Sequence, residues 1–222
     1  MGIIISLDTT TFADENFGKI SYKNCFLEYI QGDGASYINT GFSGYRIVYN
    51  DVVGSVPGDA PSIEITFATD TKTEQVLFGL INSAAPSCRI YETGGNGHIN
   101  VSGKGATGDY IVEDLTVRKV FKYGAVYSYI DGVQVADNSD MTNQYRLNAY
   151  DESILLFGGL MGNTLSYNNA KIYEFKAYVG ETIVLHLMPY ADENGIVCMK
   201  DILKDRLYYN QGTGSFIGGE KI

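Results

Sequence analysis

The two histidines, His98 and His186, are the first side chains to consider for acid–base or metal chemistry. Neither has a second His, a Cys or a carboxylate at a spacing typical of metal ligands. His186 lies in an alternating segment, 183–188, where we expect it on the polar side of a strand or as a half-buried ring. His98 follows the glycine-rich loop 93–97, and loops on a rigid scaffold often carry binding residues. A plain turn is the competing interpretation of that loop.

The carboxylates do not form the pattern of a glycoside hydrolase. Such enzymes need two carboxyl groups that flank the scissile bond. Here Glu113-Asp114, Asp151-Glu152 and Asp192-Glu193 are adjacent pairs, whose side chains point to opposite faces of a strand or into solvent at a turn. No G-x-S-x-G segment is present, and no Cys lies in a recognisable setting with His and Asn. We predict that the protein is not an enzyme and cleaves no glycosidic bond.

Tyrosine is the residue type that points to binding, because the chain has 18 Tyr and no Trp. A tyrosine ring packs in a core or lies exposed as a platform for a sugar. Most of these rings must be structural, so the candidates are those that border Gly, Asn or Asp clusters. With the residues of the 93–98 region added, the predicted glycan-binding set is Tyr91, Asn96, His98, Tyr110 and Tyr145.

Calcium is the one metal for which the sequence offers ligands. A calcium site needs several oxygen ligands at a loop end. The candidate ligands are Asp109, Asp137, Asn138 and Asp140. No other cofactor is predicted.

Composition limits the class of protein and the class of partner. With 45% hydrophobic and 13% aromatic residues, the 222-residue chain can bury a sizeable core, and one domain is favoured over two. A net charge of −10 without a cluster of Lys and Arg repels phosphate backbones, so nucleic acid is excluded as a partner. We expect neither a signal peptide nor membrane insertion, because the apolar segment Gly2–Leu7 is too short for either.

Hydrophobic alternation predicts the elements that position these side chains. In the segment Ser62–Phe67, apolar residues alternate with polar ones, which is typical of a strand with one wet face. Asp131-Gly132 between two such segments predicts a hairpin, and Gly180-Glu181 separates another pair. About a dozen strands of this kind need two sheets. Helical periodicity is almost absent, with a single turn expected near 201–208. The predicted fold is an all-β antiparallel two-sheet sandwich.

Cys25, Cys88 and Cys198 are far apart and odd in number, and they lack C-x-x-C spacing. Neither a disulfide framework nor a zinc site is indicated. We expect three reduced thiols.

Several segments resemble a known family. The start FLEYI at 26–30, followed by SYINTG at 36–41, resembles the L-E-Y-I…T-x-Y-I-D-T-G opening of laminin-G-like jelly rolls in the concanavalin A-like superfamily. The hairpin YIDGV at 129–133 resembles the Y-x-D-G-V turn of that family, and LFGG at 156–159 with AKIYEFK at 170–176 resembles its penultimate strands.

The closing stretch is the most specific part of this resemblance. Residues 188–199 and 209–219 resemble the V-P-C-x-d-x-x-G-x-x-G-L-Y-D…F-Y-x-N-x-G-T-G-x-F ending of domains from gut phages and bacterial surface proteins. Tyr190 stands where a Cys is usual, and Met199 stands where Leu is expected. The resemblance covers Phe26 to Gly219 and implies a concanavalin A-like jelly roll from a virion or an extracellular surface. We therefore divide the chain into an N-terminal arm at 1–24 and a jelly-roll domain at 25–222.

The sequence is compatible with three functions. The first is a non-catalytic virion or surface appendage module, which assembles with other virion or surface proteins and binds cell-surface glycans. The second is a free carbohydrate-binding lectin, and the third is a glycoside hydrolase. For the first, the apolar residues of 1–24 predict a segment that is buried against its own sandwich or against another chain. Burial between chains would give a homo-oligomer, with a trimer preferred because viral fibres are commonly three-fold.

Overall fold

The structure is a computed structural model, which describes residues 24–43, 61–71, 73–80, 87–93, 95–103, 106–112, 114–124, 127–137, 152–161 and 164–222. Within these ranges the regular structure is β-strand throughout. A search of the same ranges finds no helix long and apolar enough to cross a membrane. The predicted arm at 1–24 lies outside the described residues except for Asn24.

The strands are short and follow one another closely, as expected for a chain that contains 26 Gly. Their bounds are β1 Cys25–Phe26, β2 Ile30–Gln31, β3 Ile38–Asn39, β4 Pro61–Ala68, β5 Gln75–Gly79, β6 Ser87–Thr93, β7 Asn96–Gly103, β8 Ala106–Val112, β9 Lys119–Tyr123, β10 Tyr127–Ile130, β11 Val133–Asp137, β12 Leu155–Leu156, β13 Gly158–Met161, β14 Thr164–Tyr167, β15 Lys171–Val179, β16 Thr182–Ala191, β17 Val197–Asp201, β18 Arg206–Tyr208 and β19 Ile217–Gly218.

Two sheets form a sandwich. The main sheet has the order β11, β10, β9, β4, β15, β16, β17, β18, with β1 added to β16 and with β2 and β19 added beside β15. The second sheet has the order β3, β12, β5, β6, β7, β8, and β13 and β14 form a separate hairpin. The strand pairs are antiparallel in both sheets. The predicted all-β antiparallel sandwich is confirmed.

The core lies between the sheets and follows the alternation of the sequence. Ile63, Ile65 and Phe67 of β4 are fully buried, while Glu64 between them is only half-buried. Burying an apolar side chain of this size contributes roughly 1.5 to 3 kcal/mol. On β15, the buried positions 172, 175 and 177 face this core, and 171, 173, 174, 176 and 178 form the outer face. The step from 172 to 175 passes a β-bulge, which moves the outer face by one residue.

Turn chemistry confirms the predicted hairpins. Asp131 and Gly132 have φ angles of 50° and 79°, and Ile130 pairs with Val133 across them. Two successive residues with positive φ form a type I′ turn, which matches the twist of the flanking strands. Gly180, with φ of 57°, similarly connects β15 to β16. The turn expected near 201–208 connects β17 to β18 over residues 202–205.

The side-chain amide of Asn210 connects residues 210–214 with the segment around Tyr37. Its Oδ1 accepts hydrogen bonds from the backbone N–H of Tyr37 at 3.1 Å and of Gly212 at 2.8 Å, and its Nδ2 donates to the carbonyl of Gly214 at 2.6 Å. Backbone bonds from 211 to 37 and from 213 to 35 continue this contact. Glu28 N–H donates to the carbonyl of residue 220, and residue 222 donates to the carbonyl of residue 26. Both ends of the described chain are therefore held together.

The three cysteines are free thiols, and Cys88 and Cys198 are buried. Burial raises the pKa of Cys88 far above its usual range. Burial, and then the charge of Asp192, raise the pKa of Cys198 to about 12. Thiols of this kind remain protonated at neutral pH and are poor nucleophiles.

Candidate functional site

A polar surface lies on the outer face of the second sheet, where β6, β7 and β8 are neighbours. Strand pairing aligns Arg89 with Asn100 and Asn100 with Asp109, and in the next row it aligns Tyr91 with His98. The residues between them along the strands, such as Ile90 and Ile99, are buried in the core. We call the outward group the β6–β8 patch; its members are Arg89, Tyr91, His98, Asn100, Asp109 and Ile111.

At the centre of the patch, Tyr91 and His98 are stacked and share one carboxylate. Their ring centroids are 4.8 Å apart and their planes differ by 12°. The Tyr91 hydroxyl donates to Asp109 Oδ1 at 3.0 Å. His98 Nδ1 lies 3.1 Å from Asp109 Oδ2 and 3.3 Å from Oδ1. Three side chains from three strands are thus fixed relative to one another.

These contacts determine what the cluster can donate and accept. An ionised carboxylate only accepts hydrogen bonds, so His98 Nδ1 donates in its contact with Asp109. Burial, and then the hydrogen bond to Asp109, raise the pKa of the Tyr91 phenol, which therefore stays protonated as a donor. The Asp109 side chain is 42% exposed, so a ligand hydroxyl can reach its carboxylate.

Arg89 adds donors to the same face. Its Nη1 forms an ion pair with Glu74 Oε1 at 3.1 Å. Its Nε is buried and has no hydrogen-bond partner. A buried donor without a partner costs about 1 to 3 kcal/mol, and more when it is charged.

The patch also has an apolar side. Ile111 pairs with His98 and is 68% exposed, a large value for an isoleucine in a strand. The combination of an exposed aliphatic group, a stacked ring pair and a carboxylate matches the two-sided character of a sugar ring. Such a ring presents C–H groups on one face and hydroxyls around its edge.

The structure brings together three of the five predicted glycan-binding residues. Asn96 is exposed at the first position of β7, two residues before His98 and therefore on the same side of the strand as His98 and Tyr91. Tyr110 lies on the opposite side, where its ring packs against the core residue Phe121 at 6.1 Å between centroids. Tyr145 lies outside the described residues.

The predicted calcium ligands are not brought together by the described residues. Asp109 belongs to the β6–β8 patch, where its oxygens accept from Tyr91 and His98. Asp137 is the last residue of β11, an edge strand of the other sheet. Asn138 and Asp140 lie outside the described ranges. Within those ranges, no group of three or more His, Cys, Asp or Glu side chains could hold a metal.

His186 is half-buried on the outer face of the main sheet, which agrees with the expected polar side of a strand. Its Nε2 lies 2.7 Å from Glu174 Oε1. Lys176 connects that carboxylate, at 2.8 Å, with Glu64, at 3.2 Å. Glu174 lies between Lys176 and His186, and its pKa is lowered because its interactions with these two residues outweigh its desolvation by burial.

Arg89, Asn100 and Ile111 are the patch residues that the sequence did not reveal. Each lies two positions from a predicted candidate or from Asp109, so strand periodicity offered the necessary signal. The sequence does not show that β6 pairs with β7 and that β7 pairs with β8. That pairing decides which outward residues are neighbours.

Comparison with known proteins shows the fold. No family model matches the chain, and no curated protein matches it. Solved structures do match, and one of them is described as a candidate carbohydrate-binding protein from Bacteroides ovatus ATCC 8483. The two share 12% sequence identity with a TM-score of 0.54, over 88% of this chain and 60% of that one. The chain therefore spans less than two thirds of that structure, and the likeness is one of architecture.

Proposed function

We propose that the protein is a non-catalytic glycan-binding module, which uses the β6–β8 patch and belongs to a surface appendage such as a phage fibre or a bacterial surface protein. One observation carries the binding role: Tyr91, His98 and Asp109 form a rigid cluster whose carboxylate remains 42% exposed. The likeness to a candidate carbohydrate-binding protein supports the same role. The appendage role is supported by the laminin-G-like motifs of the sequence.

Binding at the patch is tested through its carboxylate. An array first identifies the glycans that bind the intact protein. The Asp109→Ala variant should bind these glycans about ten-fold or more weakly, because a hydrogen bond to a charged group is worth roughly 1.5 to 3 kcal/mol. Isothermal titration calorimetry measures the change. Asp70→Ala, which removes an exposed aspartate elsewhere, should leave the affinity unchanged. Equal affinity for the intact protein and Asp109→Ala would place the glycan elsewhere, and release of reducing ends from the bound glycan would refute the non-catalytic role.

Assembly through the N-terminal segment is tested by deletion. Removing residues 1–20 deletes most of the apolar groups proposed to bury against another chain, which are Ile3, Ile4, Ile5, Leu7, Phe12, Phe17 and Ile20. Light scattering should show a homo-oligomer for the full chain and a smaller particle for the truncated one. An unchanged subunit number would contradict the assembly role and would favour a free lectin.

A further inference from the structure

The outer face of the main sheet combines cations with tyrosine rings. Among the described residues, Arg118 lies 3.9 Å from the centre of the Tyr173 ring, and Lys122 Nζ lies 4.7 Å from that of Tyr178. Lys171 is similarly placed, 5.1 Å from the ring of Tyr29. Cation–π contacts hold an ammonium group in place and leave its N–H groups able to donate. Arg118 also forms an ion pair with Glu28 at 2.9 Å, and Lys122 and Lys171 place further positive charges on this face.

A groove of about 370 Å³ opens at one end of this face. It is lined by Glu64, Val120, Lys122, Tyr129 and Gly132. Register explains the grouping, because Lys122 of β9 pairs with Glu64 of β4 on one side and with Tyr129 of β10 on the other. Phe121 and Ile130, which alternate with these residues, are buried in the core, so Lys122 and Tyr129 point outward.

The lining selects for one class of ligand. Val120 and Tyr129 offer an apolar strip for the C–H face of a sugar, and Lys122 offers a cation for an acidic group. Glu64 lies beside the cation, and its Oε1 already accepts from Lys176 at 3.2 Å. A ligand that offers charge alone, such as a phosphate backbone, would use only Lys122 of this lining. A sugar that carries one carboxylate among several hydroxyls meets a partner for each group.

We propose that this groove binds a uronate residue of an acidic polysaccharide, with the carboxylate on Lys122, the ring on Tyr129 and a hydroxyl on Glu64. The site is independent of the β6–β8 patch because the two lie on the outer faces of different sheets, on opposite sides of the sandwich. A module with both sites cross-links two glycan chains, or two positions of one chain, without an oligomer.

The test uses the full protein and tetramers of galacturonate, glucuronate, mannuronate and guluronate, each compared with its carboxyl-reduced counterpart. Calorimetry should find at least one tetramer that binds, and carboxyl reduction should weaken it by about ten-fold or more. Lys122→Gln removes the positive charge and keeps most of the aliphatic part of the side chain. It should therefore lower the affinity for the acidic tetramer by a similar factor and leave the affinity for the carboxyl-reduced tetramer unchanged.

Lys171→Gln is the matched control, because it removes a lysine held over a tyrosine ring on the same face but outside the groove. It should change the affinity by less than about two-fold, and Asp109→Ala in the β6–β8 patch should also leave it unchanged. Circular dichroism verifies that each variant is folded. Four results would each overturn the proposal: no acidic tetramer binds, carboxyl reduction has no effect, Lys122→Gln and Lys171→Gln weaken binding equally, or single-stranded DNA competes as well as the tetramer.

Discussion

Replacing Asn168 with alanine should lower the free energy of unfolding by about 3 to 5 kcal/mol, since it leaves two buried backbone groups without partners. Asn168 is fully buried. Its Nδ2 donates to the carbonyl of Val76 at 2.6 Å, and its Oδ1 accepts from the N–H of Ala170 at 2.9 Å. The carboxamide thereby links β5 of the second sheet to the segment that leads into β15 of the main sheet. Urea unfolding followed by tyrosine fluorescence measures the loss.

Asn169→Ala provides the comparison within the same loop. Asn169 is exposed, and its side chain accepts a hydrogen bond from the hydroxyl of Thr71. Removing a surface contact of this kind changes stability by no more than about 0.5 kcal/mol. A loss below about 1 kcal/mol for Asn168→Ala would mean that water replaces the carboxamide and that the two sheets do not depend on it.

Replacing Phe157 with glycine should lower the free energy of unfolding less than replacing it with alanine, although both variants should be strongly destabilised. The residue is fully buried, its ring lies 4.8 Å from that of Phe216, and its φ is 66°. Removing a buried ring costs about 3 to 5 kcal/mol. The left-handed conformation costs alanine about 1 to 2 kcal/mol and costs glycine little. Phe157→Gly should therefore be more stable than Phe157→Ala by about 0.5 to 1 kcal/mol in chemical denaturation.

Phe67 gives the opposite order and serves as the control. It is also fully buried, but it lies in the regular strand β4. Glycine in a strand loses more backbone entropy than alanine, so Phe67→Gly should be less stable than Phe67→Ala. If both positions show the same order, the backbone of Phe157 is not what separates its two variants.

The sequence predicted the fold well because the signals for strands and turns are local. Alternation in β4 placed Ile63, Ile65 and Phe67 on the buried face, and Asp131-Gly132 specified its hairpin. Phe157 shows where local signals end. Nothing in its residue type indicates a left-handed conformation, which is imposed by backbone bonds from Phe157 N–H to Leu77 and from Asn168 N–H to Phe157.

The candidate site was predicted in part, and the limit is again physical. Asp109 and Tyr110 are adjacent in β8, so one of them must face the core and the other must face solvent. The sequence placed both in candidate sites, Asp109 as an oxygen ligand for calcium and Tyr110 as a ring that borders a cluster of Gly and Asp residues. The structure turns Tyr110 towards Phe121 and Asp109 towards His98. A register change of one residue would have exchanged their roles.

The closing motif of the sequence has a structural explanation. The Asn210 side chain bonds backbone groups of Tyr37 and Gly212, and the N–H groups of residues 211 and 213 donate to the carbonyls of residues 37 and 35. Gly212 has no room for a side chain, because a Cβ there would lie 2.1 Å from the carbonyl oxygen of Ala35. Asp33 similarly accepts from the backbone N–H groups of Ala35 and Ser215. These residues hold the loop together, and the motif that resembles phage-associated jelly rolls therefore carries information about folding.

The contacts between residues 26–37 and residues 210–222 also affect how the protein folds. β2 lies between β15 and β19, so residues 30 and 31 need partners about 140 and 187 residues further along the chain, at 171–172 and 217–218. Contacts of such long sequence separation slow folding, because loop closure must precede the contacts that reward it. We therefore expect β2 to join the sheet late in folding, after the strands near residues 172 and 217 have become available to it.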